Sequence, residues 1–406
     1  MSLRTADGWY EPGFFYIGIN SDEKISNAII GNTGTFIHEY IHFLQDITLP
    51  YLLRQSEIFY RSFSYVLDAI RRGVFRKPFE DWDEDTRITN LQREYTLGQE
   101  HSEYTFDKIT NIRNEHFNNN NIHNVYKYYI DIDDNNEYQV GAADFYEYIA
   151  AKIEKKFYNK DHIQLPYKTM DYLFDFYELS DIPDESRLYI AEYCLYNDNP
   201  IHFFCMLVMN IIKKNKENLI DYRKCKELLA RYGWSSRGHQ DENIFIKADR
   251  RINESGSSLN HIFNKSSYPS VNRWINNMLD FSRNALASRF IFGDLYCLDK
   301  NEFESAISLC INKVGIPLVF NKNNDSSSWL PENEGYNYYE FINLYIINQF
   351  MRFIGDSASA CPIYPFCSGT KQYKIDDHCF AIENIKPGNH PQCFFYDFLD
   401  RYGINM

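Results

Sequence analysis

At 406 residues, with 17% aromatic residues that include 33 Tyr and 31 Phe, the chain has ample apolar surface to bury, which excludes a disordered protein. A formal charge of −14 excludes nucleic acid as the main partner, because phosphate binding needs a basic surface. The first 25 residues lack the basic start and apolar core of a signal peptide. The longest apolar run, Phe203 to Ile212, is too short to cross a bilayer and is broken by Asn210, so a cytoplasmic protein with no membrane partner is expected.

In chain order, WYEPGFFYIGIN (residues 9–20) sets β-favouring aromatics among turn residues and predicts one or two short strands. A short helix is predicted over Ile25–Ile30, after which GNTGT turns the chain and offers Asn32 or Thr33 as the N-cap of a second helix. That helix carries HEYIHFLQD, His38 to Asp46. Phe36, Ile37, Tyr40, Ile41, Phe43 and Leu44 make it apolar on nearly every side, the pattern of a buried helix. Pro50 ends or kinks it, and Leu52, Leu53, Ile58, Phe63, Val66, Leu67 and Ile70 then recur at helical spacing as far as Val74. Residues 77–124 are polar and predict a surface excursion. VYKYYIDI and EYQV, on either side of DDNN, predict a β-hairpin, and GAADFYEYIAAKIEKK predicts a helix with a basic last turn. From residue 161 to about 344 the chain reads as helices, among them YLFDFYELS, SRLYIAEYCLYN and ESAISLCINKVG. The run Lys213, Lys214, Lys216 reads as a solvated face.

The chemistry concentrates in HEYIHFLQD. On a helix, His38 and His42 lie one above the other, so both imidazoles reach one metal ion. Glu39 is rotated off that line, unsuited as a third ligand and placed to hydrogen-bond a water held by the metal. Burying two imidazoles and a carboxylate in an apolar helix is costly without a partner, and a metal ion supplies one. On these residues the sequence resembles the zincins, the HExxH zinc metallopeptidases. The resemblance implies a catalytic zinc with three protein ligands and an open position for water, with Glu39 as the general base. It also makes residues 9–20 the candidate strand beside the cleft that pairs with extended substrate.

The metzincin completion HExxHxxGxxH is excluded, since Gln45 and Thr48 stand where its glycine and histidine belong. GAADFYEYIAA instead resembles the glutamate helix of thermolysin-like gluzincins, which implies Glu147 as the third ligand, with the small Ala150 three places on. Two features depart from that family. The gap from His42 is far longer, and Ala151 stands where the family has an aspartate supporting a ligand histidine, so another group must supply that support. Glu192, on a predicted helix beside Ala191, is the alternative third ligand. His101, His116 and His123 are weaker candidates, and Glu154 reads as a solvated helix glutamate. Asp46, at the spacing HExxHxxxD, is a candidate to order the helix or the site.

Four of the nine cysteines, Cys361, Cys367, Cys379 and Cys393, fall in a proline- and glycine-rich end. An odd number of cysteines without an export signal reads as free thiols or metal ligands. A second, structural zinc on these four would constrain loop-rich chain, with His378 or His390 able to replace one thiolate. The spacing is not of the CxxC kind, so reduced, buried cysteines or a loop bordering the cleft are the alternatives.

The fold expected is predominantly α with a small β component (α+β). Residues 1–160 would form a zincin-like core with the HExxH helix packed on the Glu147 helix. Residues 161–345 would form a helical region packed on that core, and 346–406 a Cys-rich segment. The function implied is a zinc-dependent intracellular metallopeptidase, selective for few protein or peptide substrates and answering to a regulatory protein partner. The alternatives are a noncatalytic interaction protein with structural zinc, and a zinc hydrolase of small-molecule amides or esters.

Overall fold

The structure is a computed structural model that describes residues 7–74, 76, 78–99, 108–119, 123–132, 136–162, 165–232, 243–264, 268–286, 290–323, 325–355, 360–370, 375, 379–380 and 393–404. Its elements run β1 (Gly8–Glu11), β2 (Tyr16–Ile19), α1 (Ile25–Gly31), α2 (Thr33–Thr48), α3 (Pro50–Arg71), α4 (Glu84–Leu97), β3 (Asn111–Asn119), β4 (His123–Asp131), β5 (Glu137–Val140), α5 (Ala142–Tyr158), α6 (Thr169–Phe176) and α7 (Asp184–Cys194). More helices follow, interrupted by β6 (Ile316–Asn321) and β7 (Ser326–Trp329). The class is α+β, predominantly helical with a small sheet component.

The described strands form two small sheets. In the first, ordered β1-β2-β6-β7, β1 and β2 form the antiparallel hairpin expected of WYEPGFFYIGIN, and β2 pairs in parallel with β6. The second is the antiparallel meander β3-β4-β5, in which the expected hairpin is β4–β5. The polar segment 77–124 is more regular than its composition suggests. It holds α4, capped by the Asp83 carboxylate on the Thr86 N–H, and β3, which pairs with β4 along its length. Most of β3 is exposed, so it lacks the apolar alternation that marks a half-buried strand.

Helix α2 is buried from Thr35 to Thr48, as its all-round apolar pattern requires. It packs against β1, β2, α3, α5 and the helix Pro269–Leu286. Neither Asn32 nor Thr33 caps it. Asn32 Nδ2 donates to the Ala28 carbonyl and Thr33 Oγ1 to those of Ile29 and Ile30. These side chains serve the free carbonyls that end α1, because only one residue separates the two helices. Leu49 is extended, as a residue before proline prefers, and Pro50 opens α3.

The first sheet takes strands from both ends of the chain, and Phe63 of α3 packs on Phe398 and Tyr402 near the C-terminus. Residues of the first and second expected segments therefore share one sheet, and buried residues of all three belong to one continuous hydrophobic core. No described helix is long and apolar enough to cross a membrane.

Candidate metal centre

The centre forms where α2 and α5 meet. Their contact is close because small residues line it: Ala150 and Ala151 are buried on α5, and a Cβ on Gly34 of α2 would lie 3.1 Å from Tyr158 Cβ. Across this contact His38 Nε2 and His42 Nε2 lie 3.0 Å apart, and Glu147 Oε2 lies 3.2 Å from the first and 3.0 Å from the second. Three donors that share one ion at Zn–N and Zn–O lengths in tetrahedral geometry sit about 3.3 Å apart. The triangle observed is within a few tenths of that.

Each imidazole is held from behind. His42 Nδ1 lies 2.8 Å from Gln45 Oε1, and Gln45 Nε2 donates to the Tyr146 carbonyl at 3.0 Å, tying α2 to α5. His38 Nδ1 lies 3.0 Å from Glu154 Oε2. This corrects the reading of Glu154 as a solvated glutamate: its side chain is 1% exposed. It follows Glu147 by seven residues, two helical turns, and so shares the face of α5 that meets α2.

Three carboxylates, Glu39, Glu147 and Glu154, thus crowd around two buried imidazoles. Burial opposes ionisation of Glu147 and Glu154, but the neighbouring histidines outweigh it and hold both carboxyls well below the usual range. Burial likewise opposes a charge on His38, yet its contacts with Glu147 and Glu154 raise it to about 10. Only a proton or a cation can occupy the space between two Nε2 atoms 3.0 Å apart, and a divalent cation meets the negative charge with less crowding. On donor type, spacing and charge, the residues fit a metal ion.

Glu39 is not part of the triangle. Burial pushes its carboxyl up to about 7, against the pull of His38 and His42. It faces a cleft of about 270 Å³ that also takes in His38, His42, Glu147, Tyr146 and Tyr167. Strand β1 forms one wall, so close that a Cβ on Gly8 would lie 3.2 Å from Glu39 Cγ. Trp9, Phe14, Leu52 and Phe59 also line the cleft, together with the polar Gln55, Arg93 and Asn348 and the Glu11–Arg352 ion pair. Tyr167 was not singled out in the sequence. Its ring lies edge-on to His38 with centroids 5.9 Å apart, and its hydroxyl makes no hydrogen bond among the described residues. Asp46 is one of the residues lining the cleft and accepts from Tyr10 Oη, Gly13 N and Ser56 Oγ, tying β1, the turn after it and α3 together.

The other candidates lie elsewhere. Glu192 is fully buried on α7 and accepts from the backbone N–H groups of Ile291, Phe292 and Gly293 and from Tyr196 Oη. His116 stacks on Tyr126 in the β3–β4 ladder, and His123 begins β4. His101, His378 and His390 lie outside the described residues. Cys361, Cys367, Cys379 and Cys393 lie in one neighbourhood and form no disulfide, with the Cys361 N–H bonded to the Cys379 carbonyl. Burial, then the adjacent cysteines, push the Cys367 thiol up to about 12. Among the described residues two groups of three donors come within 4.8 Å of one another, His38–His42–Glu147 and His38–Glu154–His162; the cysteines form no such group.

No family model, no curated protein and no solved structure matches this chain. Its functional reading therefore rests on the geometry of the site.

Proposed function

We propose that the protein is a zinc-dependent metallopeptidase of the HExxH type, gluzincin-like in its ligands, with His38, His42 and Glu147 holding the metal and Glu39 as the general base. The observation that carries this reading is the triangle of two imidazole nitrogens and one carboxylate oxygen, with the carboxylate of Glu39 free in the same cleft. Three protein donors opening on a cleft favour a catalytic centre over a structural one, which four protein ligands would close. When bound, the metal supplies Lewis acidity toward a carbonyl oxygen and lowers the pKa of a water.

The chain's own groups do the rest. Glu39, poised near neutral pH by burial, takes a proton from the attacking water and passes it to the leaving amine. Tyr167 stays protonated, because burial and the nearby carboxylates raise its phenol, and its free hydroxyl donates to the developing oxyanion. Strand β1 is the edge of its sheet and borders the cleft, so an extended peptide can pair with it while the aromatic wall takes an apolar side chain. A second reading, hydrolysis of a small-molecule amide or ester, draws on the size of the cleft, which lies below the usual span for whole ligands of about 300–1,000 Å³.

The test is Glu39→Gln, with zinc content measured alongside cleavage of a peptide library. The variant should keep its zinc and lose turnover by at least about 10²-fold. Turnover equal to that of the unaltered protein would refute the mechanism. Cleavage of simple amides or esters without cleavage of any peptide would favour the second reading.

A further inference from the structure

We propose that Glu154 is a positioning residue for the metal centre, holding His38 through Nδ1 and held in turn by His162 and Lys160 from the segment that follows α5. This rests on the reading of His38, His42 and Glu147 as the metal's donors.

The contacts form a chain. His38 turns Nε2 toward His42 and Glu147 and Nδ1 away from them, to within 3.0 Å of Glu154 Oε2, an ion-pair contact that is not aligned as a hydrogen bond. The same oxygen receives His162 Nε2 at 2.7 Å. The other carboxylate oxygen, Oε1, faces Lys160 Nζ at 3.6 Å, and Lys160 also bonds Thr35 Oγ1 on α2 and Asp7 Oδ2. Tyr167 covers His162, with ring centroids 4.4 Å apart. A carboxylate on the far nitrogen of a ligand imidazole fixes its tautomer, aims the metal-facing lone pair and raises its basicity. His42 has only the neutral amide of Gln45 in that position. The charged support is therefore confined to His38.

His38, Glu154 and His162 are also close enough to hold an ion themselves. The contact between Glu154 and His162 favours a hydrogen bond over a shared ion there. Glu154 and His162 are 2.7 Å apart, a hydrogen-bond length and well short of the roughly 3.3 Å between two donors on a common zinc. The metal-facing triangle, at 3.0 to 3.2 Å, lies nearer the second value.

The test measures zinc affinity of the full chain by competition with a chromophoric chelator, so no substrate is needed. Glu154→Ala should bind zinc about 10- to 100-fold more weakly. Glu154→Gln retains the size and one neutral acceptor, and should recover part of that loss. His162→Gln should weaken binding by a smaller factor. Thermal unfolding of each metal-free variant gives a second readout: a purely structural residue would lower the melting temperature and leave the affinity of the folded protein unchanged. Should Glu154→Ala fail to fold, the two glutamine variants carry the test. Zinc affinity within 2-fold of the unaltered protein in both would overturn the proposal, as would two bound zinc ions of which His162→Gln loses one. An unaltered protein that binds no zinc would overturn the reading of the centre itself, and that outcome is seen before any variant is made.

Discussion

Asp46 gathers three hydrogen bonds from two segments, Tyr10 and Gly13 beside the β1–β2 hairpin and Ser56 on α3, and burial still pushes its carboxyl up to about 6. Removing the acceptor strands donors that burial has already cut off from water. Asp46→Ala should therefore lower stability by about 3 kcal/mol or more in urea denaturation at pH 7, at roughly 1–3 kcal/mol for each unsatisfied group. The pH dependence follows from the direction of the shift. Between the ordinary value of 3.8 and about 6 the folded protein keeps a proton that the unfolded chain has lost. The Asp46 contribution is thus fully present below the lower value and falls as pH rises through the window, by about 3 kcal/mol in all. Glu147 and Glu154 carry the opposite slope, so the measurement is the difference between the unaltered protein and Asp46→Asn, which should lack this fall. At this scale the sequence was most legible where spacing encodes geometry. His38 and His42 are four apart, and the small residues around Glu147 foretell a close helix contact. Glu154 was hidden among Lys152, Lys155 and Lys156, although its seven-residue spacing from Glu147 put it on the same face. His162 and Tyr167 follow α5 outside any helical period, so nothing local pointed to them.

Helices and hairpins were legible for a related reason: α2, α3, α5 and β4–β5 each bury one pattern of side chains, and that pattern repeats locally. Strand β3 and helix α4 expose polar groups and were not legible as elements. Glu192 shows how a buried carboxylate on a predicted helix can imitate a metal ligand while serving an element instead. It caps the helix Phe292–Cys297 by accepting from Phe292 N and Gly293 N at 3.0 and 2.9 Å, and binds Ile291 N at 2.7 Å. An anion at a helix N-terminus meets free N–H groups there. Glu192→Ala should then cost about 3 kcal/mol or more in denaturant, with zinc affinity of the folded protein unchanged within about 2-fold. A loss of zinc binding without a loss of stability would return Glu192 to the list of ligands.

The parallel pairing of β2 with β6 joins strands almost three hundred residues apart, a contact that no local pattern encodes. It has a consequence for the whole molecule. Residues 1–160 contain all three donors of the triangle, but in that fragment β2 would present an unpaired edge, and α2 would lose the helix Pro269–Leu286 that packs on it. Trp274 on that helix is fully buried against Phe15 and Phe43. Exposing Phe15 and Phe43 would forfeit roughly 1.5–3 kcal/mol for each side chain, while whole domains are stable by only about 5–15 kcal/mol. The fragment should therefore show no cooperative thermal transition and should bind zinc at least about 10-fold more weakly than the full chain, because the helices that aim the donors are no longer held. In the full chain the same coupling runs the other way. An ion that binds only the folded state stabilises it by about 4 kcal/mol at a thousand times its dissociation constant, so adding zinc to metal-free protein should raise the melting temperature by several degrees. His38→Ala with His42→Ala should abolish that rise, whereas Cys361→Ser with Cys367→Ser should leave it intact, since those thiols do not converge on a common point. A zinc-dependent rise that survives loss of both histidines and disappears with the cysteines would move the metal from the cleft to the C-terminal end.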